Sequence, residues 1–233
     1  MPRYGLFCDT FISFRDRFLV EECAGAGEWR PVVVARQRQP VEWFRAQEVT
    51  SLLELLPAVS APSVLLAYQR DQALRLRPSL ERAGVRLLHA HGLFAGFWAM
   101  RYARDLQTPL VVSLHGPDLF RLIHTDPDDA AWNQCRSDLA SLWEAADLFV
   151  AHRREVAASA LEMVFPAGRL TIVAQGVNPL NMPLLDEPLD DLPVVVVQAD
   201  PDPPYGFDYA LRGLQAIQQQ QVTVFFRSDD HAA

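Results

Sequence analysis

The sequence predicts an α/β protein built on a doubly wound, mostly parallel sheet of the Rossmann-like kind. Short apolar runs alternate along the chain with amphipathic stretches of helical length. Several runs, such as PVVVA at 31–35 and PVVVVQ at 193–198, lack the polar alternation of a half-exposed strand, so we expect them to be buried on both faces. A strand–helix rhythm of this kind is typical of open sheets with helices on both sides.

The elements follow in order from run length and residue type. Short Val-, Leu- and Phe-rich runs predict strands, and longer stretches with apolar residues three or four apart predict helices. The expected strands are 4–8, 31–35, 63–67, 85–90, 109–114, 147–151, 170–174, 193–198 and 222–227. The expected helices are 10–24, 41–56, 69–83, 93–106, 129–145, 153–164 and 206–220.

Composition and charge exclude several classes of protein. Half of the 233 residues are hydrophobic, with 13 Phe and 5 Trp, so the chain is not disordered. A net charge of −8 argues against nucleic acid as a partner. All 21 basic side chains are arginine, which excludes Schiff-base and P-loop lysine chemistry.

Charge and proline content divide the chain into parts. Residues 1–125 hold 15 Arg and 12 acidic residues (+3), whereas 126–233 hold 6 Arg and 17 acidic residues (−11), which together give −8. We expect a Rossmann-like domain over 1–177, an acidic, proline-rich linker over 178–193, and a short strand–helix–strand unit over 194–233. That unit is too small to bury both faces of its strands, so it must dock on the first domain, a second copy or another chain.

Cellular location is also indicated. The three cysteines form no pattern, no apolar run approaches the length that spans a bilayer, and the N-terminus lacks the apolar core of a signal peptide. We expect a cytoplasmic protein without a transmembrane segment.

Polar residues follow several predicted strands at the edge where doubly wound sheets bind ligands. His89 and His91 end one strand, His115 follows the next, and Gly176 follows a later one. The three imidazoles are expected to converge, and imidazole binds zinc. Because no cysteine or carboxylate completes an obvious tetrahedral set, we expect no metal and no cofactor.

Five motifs carry a family resemblance. They are DTFISFRDRFLVEECAGAGEW at 9–29, HAHGLFAG at 89–96, PLVVSLHGPDLF at 109–120, WEAADLFVAHRREVAASAL at 143–161 and LTIVAQGVNP at 170–179. In this order they resemble the N-terminal half of family-four retaining glycosyltransferases, which have the two-domain GT-B fold. The later segment YGFDYALRGLQAI at 205–217 is similar to the start of that family's nucleotide-sugar domain.

The resemblance implies a cleft that holds the acceptor and places His115 near the reacting sugar. His115 is therefore the catalytic candidate if the chain is active. Gly116 would allow a ligand to approach the backbone closely, and Asp118 would cap the helix that follows it. The ligand-cleft candidates are Asp9, Thr10, His89, His91, His115, Gly116, Asp118 and Gly176.

The chain departs from the family pattern mainly in its donor half. Asp200 and Tyr205 stand where the family has the Arg and Lys that clamp the donor diphosphate, and a carboxylate there opposes anion binding. The family's paired glutamates have no counterpart, since 206–233 contains no Glu, so we expect a truncated nucleotide-sugar domain that binds a nucleotide sugar weakly or not at all. A milder departure is His152, where serine is usual.

Two interpretations stay open. In the first, the chain is a glycosyltransferase-like protein that is inactive alone and serves as a binding or assembly subunit with another protein chain or as a homo-oligomer. In the second, it is half of a hexosyltransferase whose nucleotide-sugar domain comes from another chain.

Overall fold

The computed structural model of the protein describes residues 1–11, 19, 26–38, 49–51, 73–124, 127–176, 194–197, 207–216 and 223–226. The chain forms two compact units, Met1–Val177 and Asn178–Ala233. Among the described residues, no helix is long and apolar enough to cross a membrane.

The first unit is built on a parallel sheet, which has seven strands within the described residues. The strands are β1 (Arg3–Phe11), β2 (Arg30–Arg38), β3 (Val49–Ser51), β4 (Val85–His91), β5 (Leu110–Leu114), β6 (Leu148–Ala151) and β7 (Leu170–Ile172). Their order across the sheet is β3-β2-β1-β4-β5-β6-β7, and every neighbouring pair is parallel. The order reverses between β1 and β4, which is the position at which Rossmann-like sheets bind ligands.

Helices connect these strands. They are α1 (Ala73–Ala83), α2 (Leu93–Leu106), α3 (Gly116–Ile123), α4 (Ala130–Ser137), α5 (Leu139–Ala145) and α6 (Arg154–Glu162), with a 3₁₀ turn at Ala167–Arg169. Helix α2 packs closely on the sheet because it presents small residues to it: a Cβ added to Gly96 would lie 3.1 Å from Val112 Cγ1. This close packing fixes the N-terminus of α2 at the carboxyl end of β4.

A continuous hydrophobic core lies between the sheet and the helices. Phe7, Leu88, Val112 and Phe149 each have no exposed surface, and Tyr102 packs against Phe7 with ring centroids 5.7 Å apart. Among the cysteines, Cys8 and Cys135 are buried thiols, while Cys23 lies outside the described residues. Burial raises the pKa of Cys135 well above its usual range, so this thiol stays protonated and acts as a small apolar side chain.

The second unit contains strands β8 (Val194–Val197) and β9 (Thr223–Phe226), which pair in parallel, and helix α7 (Phe207–Ala216). Two parallel strands joined through a helix form a βαβ unit. On α7 the side chain of Tyr209 is exposed and packs against Arg212.

The predicted fold class is confirmed, and the structure corrects the bounds of some elements. The helix expected over 41–56 is wrong at Val49–Ser51, a strand whose Val and Thr are β-branched residues suited to a pleated sheet. β1 runs on to Phe11, into the start of the helix expected over 10–24. The helix expected over 129–145 is two helices, α4 and α5, interrupted at Asp138, whose carboxylate accepts a hydrogen bond from Gln134. The expected strand 63–67 lies outside the described residues.

Candidate functional site

Three loops at the carboxyl edge of the sheet bring three histidines together. His91 is the last residue of β4, His115 directly follows β5, and His152 directly follows β6. In the sheet His91 is level with Ser113, and Leu114 is level with Ala151. Because these strands are neighbours and parallel, the residues that follow them meet at one edge. We call His91, His115 and His152 the histidine cluster.

The three imidazole rings of the histidine cluster lie close to one another. Ring centroids lie 6.0 Å apart for His91 and His115, 5.5 Å for His115 and His152, and 6.5 Å for His91 and His152. One nitrogen from each ring lies within 4.8 Å of the other two. His91 is only 7% exposed, and the other two rings are half-buried.

His89 packs beside the cluster rather than within it. Its ring centroid lies 4.4 Å from that of His91, as expected for residues two apart on one strand. Its Nε2 forms a hydrogen bond of 2.9 Å with the hydroxyl of Ser113, which is fully buried. His89 therefore packs against His91 and is held in the sheet by its hydrogen bond to Ser113.

The loop between β4 and α2 is held by Asp118. The carboxylate Oδ2 of Asp118 accepts a hydrogen bond of 2.8 Å from the backbone N–H of Leu93, the first residue of α2. Asp118 therefore caps α2, and it also lies in the first turn of α3, the helix that the sequence expectation names. A carboxylate at a helix N-terminus also stabilises the positive end of the helix dipole.

Gly92 makes this arrangement possible. Its φ of 92° and ψ of 157° fall in a region that is essentially restricted to glycine. A Cβ at this position would lie 2.6 Å from Asp118 Oδ2 and 3.9 Å from Cδ2 of His115. Gly92, Asp118 and His115 thus meet at one point, and only a residue without a side chain fits there.

His152 is oriented by a backbone carbonyl. Its Nδ1 donates a hydrogen bond of 3.0 Å to the carbonyl oxygen of Val173, the residue that directly follows β7. Since a carbonyl only accepts, Nδ1 carries the proton, and Nε2 of the neutral ring holds a lone pair. Nε2 is buried and has no hydrogen-bond partner among the described residues.

The other residues expected in the site from the sequence are exposed or have side chains outside the described part of the chain. Asp9 and Thr10 lie on β1, next to β4 in the sheet, but their side chains are outside the described part of the chain. Gly116 begins α3 and is exposed, and Gly176 is exposed with open space where a Cβ would lie. Asp200 and Tyr205 lie outside the described residues.

His152 is not among the candidates expected from the sequence, which marks it only as a position where serine is usual in the family. The signal that finds it is its position directly after a buried strand, the same signal that selected His115.

A family comparison identifies the chain. The model of Glycosyltransferase Family 4 matches residues 19–179, which include β2 to β7 and the whole histidine cluster. The chain belongs to this family. The match covers most of the Met1–Val177 unit, which corresponds to the N-terminal domain of the GT-B fold in this family.

Solved structures share the fold of this family member at low sequence identity. Sucrose-phosphate synthase from Thermosynechococcus elongatus has a TM-score of 0.69 at 13% identity, with 98% of this chain and 64% of that chain covered. HepE of Anabaena in complex with UDP-glucose has a TM-score of 0.64 at 15% identity, covering 97% and 60%. MnaA of S. aureus, solved with UDP, has a TM-score of 0.56 at 11% identity, covering 100% and 63%. The chain thus spans less than two thirds of each of these proteins, and a search of the curated proteins finds no match.

Proposed function

We propose that this family-4 chain does not transfer sugar by itself and acts as a binding or assembly subunit of a larger complex. The observation that carries the proposal is Asp200, which stands where the family resemblance places an arginine that grips the donor diphosphate. Tyr205 likewise stands in place of the lysine. A carboxylate about 4 Å from a phosphate charge is repelled by about 4 kcal/mol near a protein surface, so the substitution opposes donor binding.

The charge of the second unit supports the same conclusion. Residues 178–233 contain two Arg and nine acidic residues, a net charge of −7. Such a field repels phosphorylated ligands and attracts a partner with a basic surface. An acidic unit of this size therefore suits protein docking better than it suits the binding of a nucleotide diphosphate.

The Met1–Val177 unit supports the ligand-binding part of the proposal. Its histidine cluster lies at the edge where Rossmann-like sheets bind ligands, and the surrounding loop is fixed by the contact between Asp118 and the N-terminus of α2. This built geometry favours a subunit that still holds a small polar ligand.

The test places the family's Arg and Lys back at positions 200 and 205. The wild-type chain and the double variant Asp200→Arg, Tyr205→Lys are assayed alone against a panel of nucleotide-sugar donors, with release of free nucleotide as the readout. We expect no turnover from either protein, because two cations alone do not rebuild a donor site.

A charge-matched control carries Asp229→Arg and Tyr209→Lys, which change the net charge equally at other positions of the same unit. Sugar transfer by the wild-type chain, or by the Asp200→Arg, Tyr205→Lys variant but not by this control, contradicts the proposal.

A second candidate is a hexosyltransferase half-enzyme whose donor domain comes from another chain. The contact that fixes the loop beside His115 favours it, because a site retained for catalysis needs such support. His115→Ala separates the two functions. In the native complex it would abolish transfer by a half-enzyme, whereas a binding or assembly subunit would still assemble, and His124→Ala, at an exposed histidine outside the cluster, serves as the control.

A further inference from the structure

The histidine cluster has the composition of a metal site. We propose that His91, His115 and His152 bind one divalent transition-metal ion, with Zn²⁺ the best fit. Imidazole is a preferred ligand of Zn²⁺, and three protein ligands with a fourth position left for water or a ligand oxygen form a recurrent zinc geometry. The proposal goes beyond the proposed function and does not depend on the chain being inactive.

The distances allow an ion with small side-chain movements. Because one nitrogen from each ring lies within 4.8 Å of the other two, there is a point no more than about 2.8 Å from all three. Zn–N bonds measure about 2.0–2.1 Å, so each nitrogen has to move inward by less than about 1 Å. Rotation about the side-chain torsions of the half-buried His115 and His152 supplies such a movement.

His152 has the protonation pattern of a metal ligand. Histidines that bind metals usually donate their second ring N–H to a carboxylate or a backbone carbonyl, which fixes the tautomer and turns the other nitrogen to the ion. The hydrogen bond from Nδ1 of His152 to the carbonyl of Val173 is of this kind. It leaves the lone pair of Nε2 available on the side of the ring away from that carbonyl.

A bound metal would satisfy the buried Nε2 of His152. Nε2 of His152 is buried without a hydrogen-bond partner among the described residues, and a buried polar atom left in this state costs free energy. Three imidazoles this close repel one another if all are protonated, whereas neutral rings each offer a lone pair to a shared cation.

His89 is the near neighbour that the proposed set leaves out. Its Nε2 is engaged with the buried hydroxyl of Ser113, so it supports the wall of the site. From the sequence we expect His89, His91 and His115 to converge without a further ligand. In the structure His152, and not His89, joins His91 and His115.

The experiment uses the full-length chain, purified without an affinity tag and stripped of metal by a chelator. Zn²⁺ binding is measured by competition with a chromogenic chelator, and Co²⁺ binding by the visible absorption that distinguishes four-coordinate from hydrated Co²⁺. We expect one ion per chain for both metals, four-coordinate Co²⁺, and a rise in the melting temperature with Zn²⁺, since an ion that binds only the folded state stabilises it.

Two variants and one control make the assignment specific. His152→Ser introduces the residue that the family usually has at this position, and His115→Gln removes a second ligand. Since the loss of a supporting group outside the ligand set already lowers metal affinity by about 10–100-fold, we expect each variant to lose about 100-fold or more. His124→Ser, at the exposed histidine that packs on Phe120, should bind as the wild type does.

The melting temperature without metal shows whether each variant folds. Absence of stoichiometric binding by the wild type, or equal affinity in the wild type and a folded His152→Ser variant, would overturn the proposal.

Discussion

Gly92→Ala is expected to destabilise the Met1–Val177 unit by about 3 kcal/mol. Part of this loss is backbone strain, about 1–3 kcal/mol for a side chain forced into the φ and ψ of Gly92. The remainder arises because the new methyl group would lie 2.6 Å from Asp118 Oδ2 and displace the carboxylate that caps α2, a contact of about 0.5–2 kcal/mol. Urea unfolding followed by tryptophan fluorescence measures the effect on this unit alone, since all five Trp lie in it.

Gly84→Ala is the matched control. Gly84 also has a positive φ, of 66°, but a Cβ there would meet nothing within 4 Å. The Gly84→Ala variant should lose about 1–2 kcal/mol of unfolding free energy, from backbone strain alone. Equal losses at the two glycines would show that the contact between Asp118 and α2 contributes nothing to stability.

Phe149→Ala should have a still larger effect, about 3–5 kcal/mol, because the truncation opens a cavity in the centre of the core. Phe149 lies on β6, has no exposed surface, and packs edge-on against Phe165 with ring centroids 5.2 Å apart. The same strand positions His152, so a shift of β6 in this variant should also reduce Zn²⁺ affinity. The free energy of unfolding is measured by the same fluorescence titration.

Phe120→Ala provides the comparison at the surface. Phe120 is 38% exposed and contacts His124 at the end of α3. We expect a loss of about 1 kcal/mol or less, since substitutions at exposed positions rarely cost more. A loss at Phe149 no larger than that at Phe120 would be incompatible with the described core.

Local sequence pattern was sufficient for elements whose ends are set by local chemistry. Helix α2 has the predicted bounds, 93–106. It begins after Gly92, whose backbone conformation is not helical, and it ends at Gln107, which adopts the left-handed conformation. The strand Val49–Ser51 is hidden within a predicted helix, because three residues are too few to show alternation within an amphipathic stretch.

The site was only partly predictable, because contacts across the sheet depend on strand order. His89 and His91 share a face by the two-residue period of one strand, which the sequence displays. The approach of His152 to His115 requires β6 to pair with β5, and the capping of α2 by Asp118 requires α3 to pack against α2. Neither arrangement is encoded in spacing along the chain.

Native mass spectrometry tests whether this chain works as a subunit of a complex. The protein is purified gently from its own cells, and the chains that accompany it are identified. We expect a stable complex with another chain or with a second copy. An isolated monomer with no accompanying chain would be incompatible with it.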